Sequence, residues 1–133
     1  MEYKIELSEG EKLEMDSASR LYKLGNLEEA LPILEKLSLS HSTSPMLVAT
    51  LANLHWDLKN IDKAIELFNT AVKLGPKSEK ISRGLFHILW EKSDEINAVA
   101  EIQRFIDTGC ASAEYINMAS EINLKKGLNI KIP

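Results

Sequence analysis

The sequence predicts an all-α fold, a solenoid of three stacked helical hairpins followed by one capping helix. Two observations lead to this prediction. Alanines recur 34 residues apart, at Ala30, Ala64 and Ala98. Each interval also contains two stretches in which apolar residues recur every three or four positions, the period of an amphipathic helix. A repeat that holds two helices is typical of a stack in which each unit buries its apolar face against its neighbours.

Several other positions keep the same 34-residue register. The triplets with mostly apolar side chains are Leu34, Phe68 and Ile102; Leu37, Ala71 and Phe105; Leu21, His55 and Leu89; and Ala18, Ala52 and Phe86. This register predicts units at about 11–44, 45–78 and 79–112 and a capping helix at about 113–127. All of them would lie in one domain over residues 1–133.

The start of each helix in the first unit has a local signal. Ser8 and Glu11 have the spacing of a capping box, in which each side chain bonds the other residue's backbone N–H. Gly25 and Asn26 form the predicted turn between the two helices, and we expect the Asn26 side chain to cap the second helix.

The second and third units contain similar signals for helix starts, turns and ends. Pro45 suits the first turn of a helix, and Lys59-Asn60 interrupts the apolar pattern. Leu74-Gly75-Pro76 predicts the end of the second unit. In the third unit Ser93-Asp94 marks the turn, whereas Gly84 weakens the helix prediction around it.

The two ends of the chain have a different pattern. Residues 1–7 and 128–133 alternate apolar and polar side chains, the period of an extended strand. One interpretation is that these ends are extended and lay a few apolar side chains on neighbouring helices. The other is that they pair with a partner or with a second copy of the chain.

Composition limits the class of protein. The chain has 133 residues, 44% of them hydrophobic, and a net charge of −4. A nucleic-acid-binding protein is not expected, because phosphate contacts need an excess of lysine and arginine. No signal-peptide segment or membrane span is evident, so we expect a cytoplasmic protein that does not bind membranes.

The repeat resembles the tetratricopeptide repeat (TPR) family over about residues 11–127. The matching positions are Ala18, Leu21, Gly25, Leu27, Ala30 and Leu34 in unit one, and Leu51, Ala52, His55, Ala64, Phe68, Ala71 and Pro76 in unit two. The resemblance implies a right-handed solenoid whose concave groove is formed by the first helix of each unit. It also implies a non-catalytic module that binds another protein or peptide.

One row of aromatic residues is the main candidate for a binding surface. Tyr22, Trp56 and Trp90 are 34 residues apart, and the resemblance implies that this position faces the groove. Aromatic side chains are common among residues that dominate binding energy, but they also serve as packing residues. Both interpretations stay open. The other predicted partner-binding residues are Lys23, Asn53, Asp57, Lys80, Arg83 and His87. The remaining groove positions implied by the resemblance are Lys12, Met15, Ser19, Met46, Ala49 and Glu91.

One branch of the family binds the C-terminal carboxylate of heat-shock chaperones through a clamp of lysine, asparagine and arginine. By the resemblance, that clamp would fall on Met15, Ser19, Thr50, Lys80 and Gly84. Only Lys80 has the required side chain. We therefore do not expect this chain to bind chaperone tails.

No catalytic or metal-binding motif is evident in the sequence, and we expect neither an enzyme nor a cofactor. His41 lies in a serine-rich loop and is expected to be exposed. His55 is expected to be a packing residue of the core. Cys110, the single cysteine, is expected to be a partly buried and unreactive thiol.

The sequence leaves the partner open. The main interpretation is a general adaptor that holds a peptide or helix in the groove. The alternatives are a dedicated inhibitor, such as an immunity protein that neutralises a toxin, and a secretion chaperone. An acidic segment over residues 1–16, with six acidic and two basic side chains, is either a solvated helix start or a surface that attracts a basic partner.

Overall fold

The computed structural model describes residues 6–133, which form seven α-helices. Their bounds are α1 Glu9–Lys23, α2 Leu27–Ser40, α3 Pro45–Asp57, α4 Ile61–Leu74, α5 Glu79–Glu91, α6 Glu95–Asp107 and α7 Ala113–Lys126. Consecutive helices pack against each other, and α3 also contacts α5. The architecture is the predicted α-solenoid, in which the odd-numbered helices form one layer and the even-numbered helices form the other.

Small side chains allow the helices of each hairpin to approach closely. Ala18 and Ala30 are buried between α1 and α2, and Ala52 and Ala64 between α3 and α4, each at most 1% exposed. Phe86 takes the place of the first alanine in the third hairpin and is also buried. The apolar core therefore runs through all the helices rather than around one centre.

Serine side chains begin four of the helices. Ser8 accepts from the N–H of Glu11 in the predicted capping box, and Ser44, Ser78 and Ser112 each accept from the third residue of their helix. These bonds satisfy N–H groups that have no partner inside the helix. The expectation for Asn26 is wrong, because it occupies the N-cap position of α2 but its side chain makes no capping bond.

The turn inside each hairpin has a left-handed residue at the same position. Gly25, Lys59 and Ser93 have φ angles of 81°, 68° and 67°. Glycine adopts this conformation without steric cost, whereas a side chain with a Cβ atom is strained in it. The second and third turns are therefore strained relative to the first.

Gly84 has a packing role inside α5. A Cβ atom at this position would lie 2.5 Å from Cε1 of Phe68. The Phe68 ring is 1% exposed and has the Trp56 ring against it, so it has little room to move. The glycine that weakens the helix prediction is thus required where α4 packs on α5.

The start of α7 keeps the 34-residue register, and polar side chains join α7 to α5. Tyr115 is completely buried, and its hydroxyl lies 2.8 Å from the hydroxyl of Ser82, 33 positions earlier. Glu79 accepts from the backbone N–H and the hydroxyl of Ser112, also 33 positions later. Burial raises the pKa of Tyr115, so this hydroxyl stays protonated.

Two local expectations from the sequence are wrong. His41 is not freely exposed, because its Nε2 lies 2.7 Å from a carboxylate oxygen of Glu11 and its side chain is 22% exposed. Cys110 is exposed rather than partly buried. His55 is buried as expected, and its Nδ1 accepts a hydrogen bond from Asn60.

Of the two predicted extended segments, only residues 128–133 lie entirely within the described part of the chain. Most of the predicted extended segment 1–7 lies outside the described residues. At the other end Ile130 is 4% exposed and belongs to the core, which agrees with the interpretation that this end packs on its own helices. Within the described part of the chain, no helix combines the length and the apolar composition that crossing a bilayer requires.

Candidate binding surface

Three aromatic side chains link the odd-numbered helices. We call Tyr22 of α1, Trp56 of α3 and Trp90 of α5 the aromatic ladder. The Tyr22 hydroxyl donates to Oδ2 of Asp57, and the Trp56 indole N–H donates to Oε2 of Glu91 across 2.7 Å. Each polar edge thus reaches an acidic residue on the next odd-numbered helix.

Trp90, the third member of the aromatic ladder, has a cation over its ring. Nζ of Lys126 lies 5.8 Å from the centroid of the Trp90 ring and also forms an ion pair with Glu95 at 3.1 Å. An ammonium group over an indole face is attracted by the negative face of the ring. Trp90 therefore connects α5 to the end of α7.

The rings themselves are partly used in packing. Trp56 meets Phe68 edge-on at 6.1 Å between centroids, and Trp90 stacks on Phe86 at 5.5 Å. Both tryptophans are half-buried, and Tyr22 is 38% exposed. The ladder therefore has a packing role, which was one of the two interpretations that the sequence left open. Part of each ring also faces solvent.

An open cleft lies between α1 and α3, beside Tyr22. Its volume is about 290 Å³. Its lining is apolar at the base and polar at the rim, and consists of Met15, Ala18, Ser19, Tyr22, Lys23, Leu34, Thr50 and Asn53. We call this the first cleft. It brings together Tyr22, Lys23 and Asn53 of the predicted partner-binding residues.

A smaller cleft of about 50 Å³ lies between α3 and α5. It is lined by Met46, Ala49, Thr50, Asn53, Phe68, Lys80 and Ile81. Thr50 and Asn53 border both clefts, so the two lie side by side on α3. We call the surface of α1, α3 and α5 that carries the ladder and both clefts the ladder face.

Charges on the ladder face fall into two groups. Asp57 and Glu91 accept bonds from the ladder, and Arg83 bonds Glu79 and Ser112 while its guanidinium lies 5.1 Å from the centre of the Tyr115 ring. These residues hold the helices together. Arg83 was predicted as a partner contact, and the structure uses it to join α5 to α7.

The second group consists of Lys23 and Lys80. Both are exposed, and neither forms an ion pair with another described residue. Asp57 and Glu91 keep their negative charge, because their donors are neutral groups. The positive charge that the ladder face offers to a partner therefore lies at Lys23 and Lys80, beside the two clefts. The chain as a whole carries a net charge of −4.

His87 lies on the exposed side of α5, with its ring edge-on to Phe86 at 5.4 Å. Partial burial lowers the pKa of His87, and the nearby Arg83 lowers it further. This imidazole is therefore neutral at pH 7. It offers a partner hydrogen bonds rather than charge.

Sequence reasoning named most of this surface but not the bonds within it. Leu34 was expected only as a packing residue and Thr50 was considered only as a clamp position, and the accepting role of Glu91 was missed. A signal for the last was present in the sequence, because an acidic residue directly follows each tryptophan, as Trp56-Asp57 and Trp90-Glu91. Stacking by 34 residues places each acid beside the preceding aromatic.

The described part of the chain contains no cluster of three or more histidine, cysteine, aspartate or glutamate side chains that could hold a metal ion.

Comparison with known proteins agrees with this architecture. Residues 21–85 match the tetratricopeptide repeat family. No curated protein sequence gives a significant match to the chain.

Several solved structures are similar in fold. The chaperone SycD of type III secretion from Yersinia enterocolitica has a TM-score of 0.75 and 17% identity, and the match covers 92% of this chain and 90% of SycD. The first TPR domain of Spaghetti (RPAP3), bound to an HSP90 peptide, has a TM-score of 0.72 and 18% identity over 89% of this chain and 96% of that domain.

MamA from Desulfovibrio magneticus RS-1 has a TM-score of 0.72 and 19% identity over 84% of this chain. The match spans only 63% of the MamA chain. At these identities the likenesses show the fold alone. The family match shows tetratricopeptide repeats over residues 21–85, and the helices on either side continue the same stack of hairpins.

Proposed function

We propose that the chain is a non-catalytic binding module that holds a peptide or helix of a partner protein on the ladder face. The observation that carries the proposal is the first cleft, an open apolar space with Met15 and Leu34 in its lining and a hydrogen-bonding rim. Clefts of this kind suit an apolar anchor side chain, and methionine adapts to ligands of different shape. TPR modules typically act in this way.

The two lysines beside the clefts favour a partner segment with acidic side chains at these points. Lys23 borders the first cleft and Lys80 the second. A ligand with an apolar anchor between the two lysines and carboxylates on either side would be complementary to both. The Asn53 side chain lies between the clefts and can bond the backbone of such a ligand.

The ligand chemistry differs from that of a carboxylate clamp. Met15, Ser19 and Thr50, which occupy clamp positions by the resemblance, line the first cleft. They offer an apolar space with hydroxyl groups rather than cations. We expect recognition of an internal apolar residue, and the absence of chaperone-tail binding stays a prediction.

Selection from a random peptide library tests this function. Binders selected on the wild-type protein should be acidic, carry a large apolar residue, and lose at least tenfold in affinity for Lys23→Glu or Met15→Glu. Lys73→Glu on the exposed side of α4 makes the same charge change away from both clefts and serves as the matched control. Binders that are neutral or basic, or that bind all variants equally, would contradict the proposal.

A second candidate function is that of a secretion chaperone. The structural match covers nearly all of both this chain and SycD, and this favours the second candidate. Such a chaperone would hold a longer unfolded segment along both clefts. Binding would then increase steadily with peptide length, whereas a module for one short motif would reach full affinity at about ten residues.

A further inference from the structure

The segment after α7 is held by two amide side chains from different helices. Nδ2 of Asn123 donates to the carbonyl oxygen of Ile130 at 3.0 Å, and Oδ1 accepts from the Ile130 N–H at 2.8 Å. Nε2 of Gln103 donates to the carbonyl oxygen of Lys131 at 3.1 Å, and Oε1 accepts from its N–H at 2.7 Å. Two successive residues thus have both backbone groups bonded.

This is the bonding pattern of a strand held along both edges. In an extended chain the N–H and C=O of one residue point to one side, and those of the next residue point to the other. Asn123 on α7 and Gln103 on α6 occupy the two sides. The amides read only backbone groups, which every peptide except one with proline at these positions can supply.

Two side chains of the segment supply apolar contact, and only Ile130 is fully buried. Ile130 is 4% exposed and packs in the core, and Leu128 packs against it from a half-buried position. Asn129 and Lys131 are exposed. The contacts therefore demand an aliphatic residue at one position and tolerate change at its neighbours.

The segment is joined to α7 by a flexible residue. Gly127 is exposed and has a left-handed φ of 63°. The segment is six residues long and takes the position that the second helix of a fourth hairpin would occupy. Its release would break four hydrogen bonds and expose Ile130 and the buried part of Leu128, and it would leave the helix bonds of α6 and α7 in place.

We propose that the surface between α6 and α7 is a second peptide site, separate from the ladder face, and that residues 128–133 occupy it as an exchangeable ligand. The ligand class is an extended segment of a partner protein with isoleucine or valine at the position of Ile130. Asn123 and Gln103 are its binding residues. A partner segment binds only when residues 128–133 leave.

The test uses the full chain with its own segment weakened by Ile130→Asp, together with synthetic peptides. The first peptide has the sequence of residues 128–133, and the second carries Asn129→Thr and Lys131→Glu. Both peptides should bind the Ile130→Asp protein, and binding to the wild-type protein should be at least tenfold weaker because the tethered segment competes at millimolar effective concentration. Asn123→Ala in the Ile130→Asp background should weaken binding about tenfold, the effect of two lost hydrogen bonds.

Each outcome of this experiment either supports or contradicts the proposal. If Ile130→Asp lowers the helix content, the peptides should restore it, and restoration is then the measure of binding. A peptide that carries Ile130→Asp should neither bind nor restore the helix content. Failure of the first peptide to bind or restore would overturn the proposal, and binding of the first but not the second would show a structural tail rather than a site for partner segments. Neither result depends on Lys23 or Met15, so the proposed function is tested independently.

Discussion

The indole N–H of Trp56 donates to the carboxylate of Glu91, which stands 35 residues further on and one repeat away. The Tyr22 hydroxyl makes the corresponding bond to Asp57. These bonds connect helices that are not consecutive in the chain. They hold the odd-numbered helices at the spacing that defines the clefts of the ladder face.

Replacing Trp56 by phenylalanine should remove this bond and keep most of the ring packing against Phe68. We expect a loss of about 1 kcal/mol in the free energy of unfolding, less than is usual for a bond to a charged group because Glu91 is exposed. Urea denaturation of Trp56→Phe, Glu91→Ala and the double variant measures it. If the two single losses simply add, the bond does not contribute to stability.

Gly84→Ala should destabilise the protein although alanine is the better helix former. The gain in helix propensity is about 1 kcal/mol. The added Cβ atom would lie 2.5 Å from the buried Phe68 ring, and overpacking of this kind costs about 1–3 kcal/mol. Gly10→Ala in α1, where a Cβ atom would lie 4.0 Å from Oγ of Ser8, an ordinary contact distance, is the control and should be neutral or stabilising. A higher melting temperature for Gly84→Ala would show that Phe68 can move.

Lys59→Gly and Ser93→Gly should each stabilise the protein by about 0.5–1 kcal/mol. Both residues have a left-handed backbone, which costs a residue with a Cβ atom about 1–2 kcal/mol, and the greater flexibility of glycine in the unfolded chain offsets part of this gain. Gly25→Ala is the reverse change at the equivalent turn and should destabilise. Thermal unfolding checks all three, and a lower melting temperature for both glycine variants would contradict the strain argument.

Stability should fall as the pH drops below about 6.5. Burial lowers the pKa of His55 below its ordinary value of 6.5, so the unfolded chain takes up a proton in a range where the folded protein resists it. Protonation would also remove the acceptor that Asn60 bonds. His55→Gln should make the free energy of unfolding less dependent on pH between 7 and 5.

The control for this prediction is a second pH range. The pKa of Glu79 is lowered by its bonds to Ser112 and its neighbour Arg83, which outweigh the effect of burial, so its contribution is lost only below about pH 4.5. The decline below that pH should be the same in wild type and in His55→Gln. An unchanged slope between pH 7 and 5 in the variant would show that His55 is not the group responsible.

The hairpin architecture could be predicted because each of its determinants is local or periodic. The spacing of Ala30, Ala64 and Ala98 shows the repeat, and the Ser8–Glu11 pair shows where the first helix begins. These signals need only the geometry of one helix or one repeat.

The details that could not be predicted depend on contacts between repeats. Gly84 looked like a weak point because its reason, the Phe68 ring, lies on another helix. Arg83 looked available because its partner Ser112, the N-cap of α7, lies 29 residues further on in the sequence. His41 and Glu11 meet because α1 and α2 run side by side, 30 residues apart in sequence.

The most direct test of the account is the affinity of one library-selected acidic peptide for four proteins: wild type, Lys23→Glu, Lys80→Glu and the control Lys73→Glu. We predict that each ladder-face reversal weakens binding at least tenfold and that the loss shrinks as salt rises, because the attraction is electrostatic. We predict wild-type affinity for Lys73→Glu. Equal affinity for all four proteins would place the binding surface elsewhere and contradict the central claim.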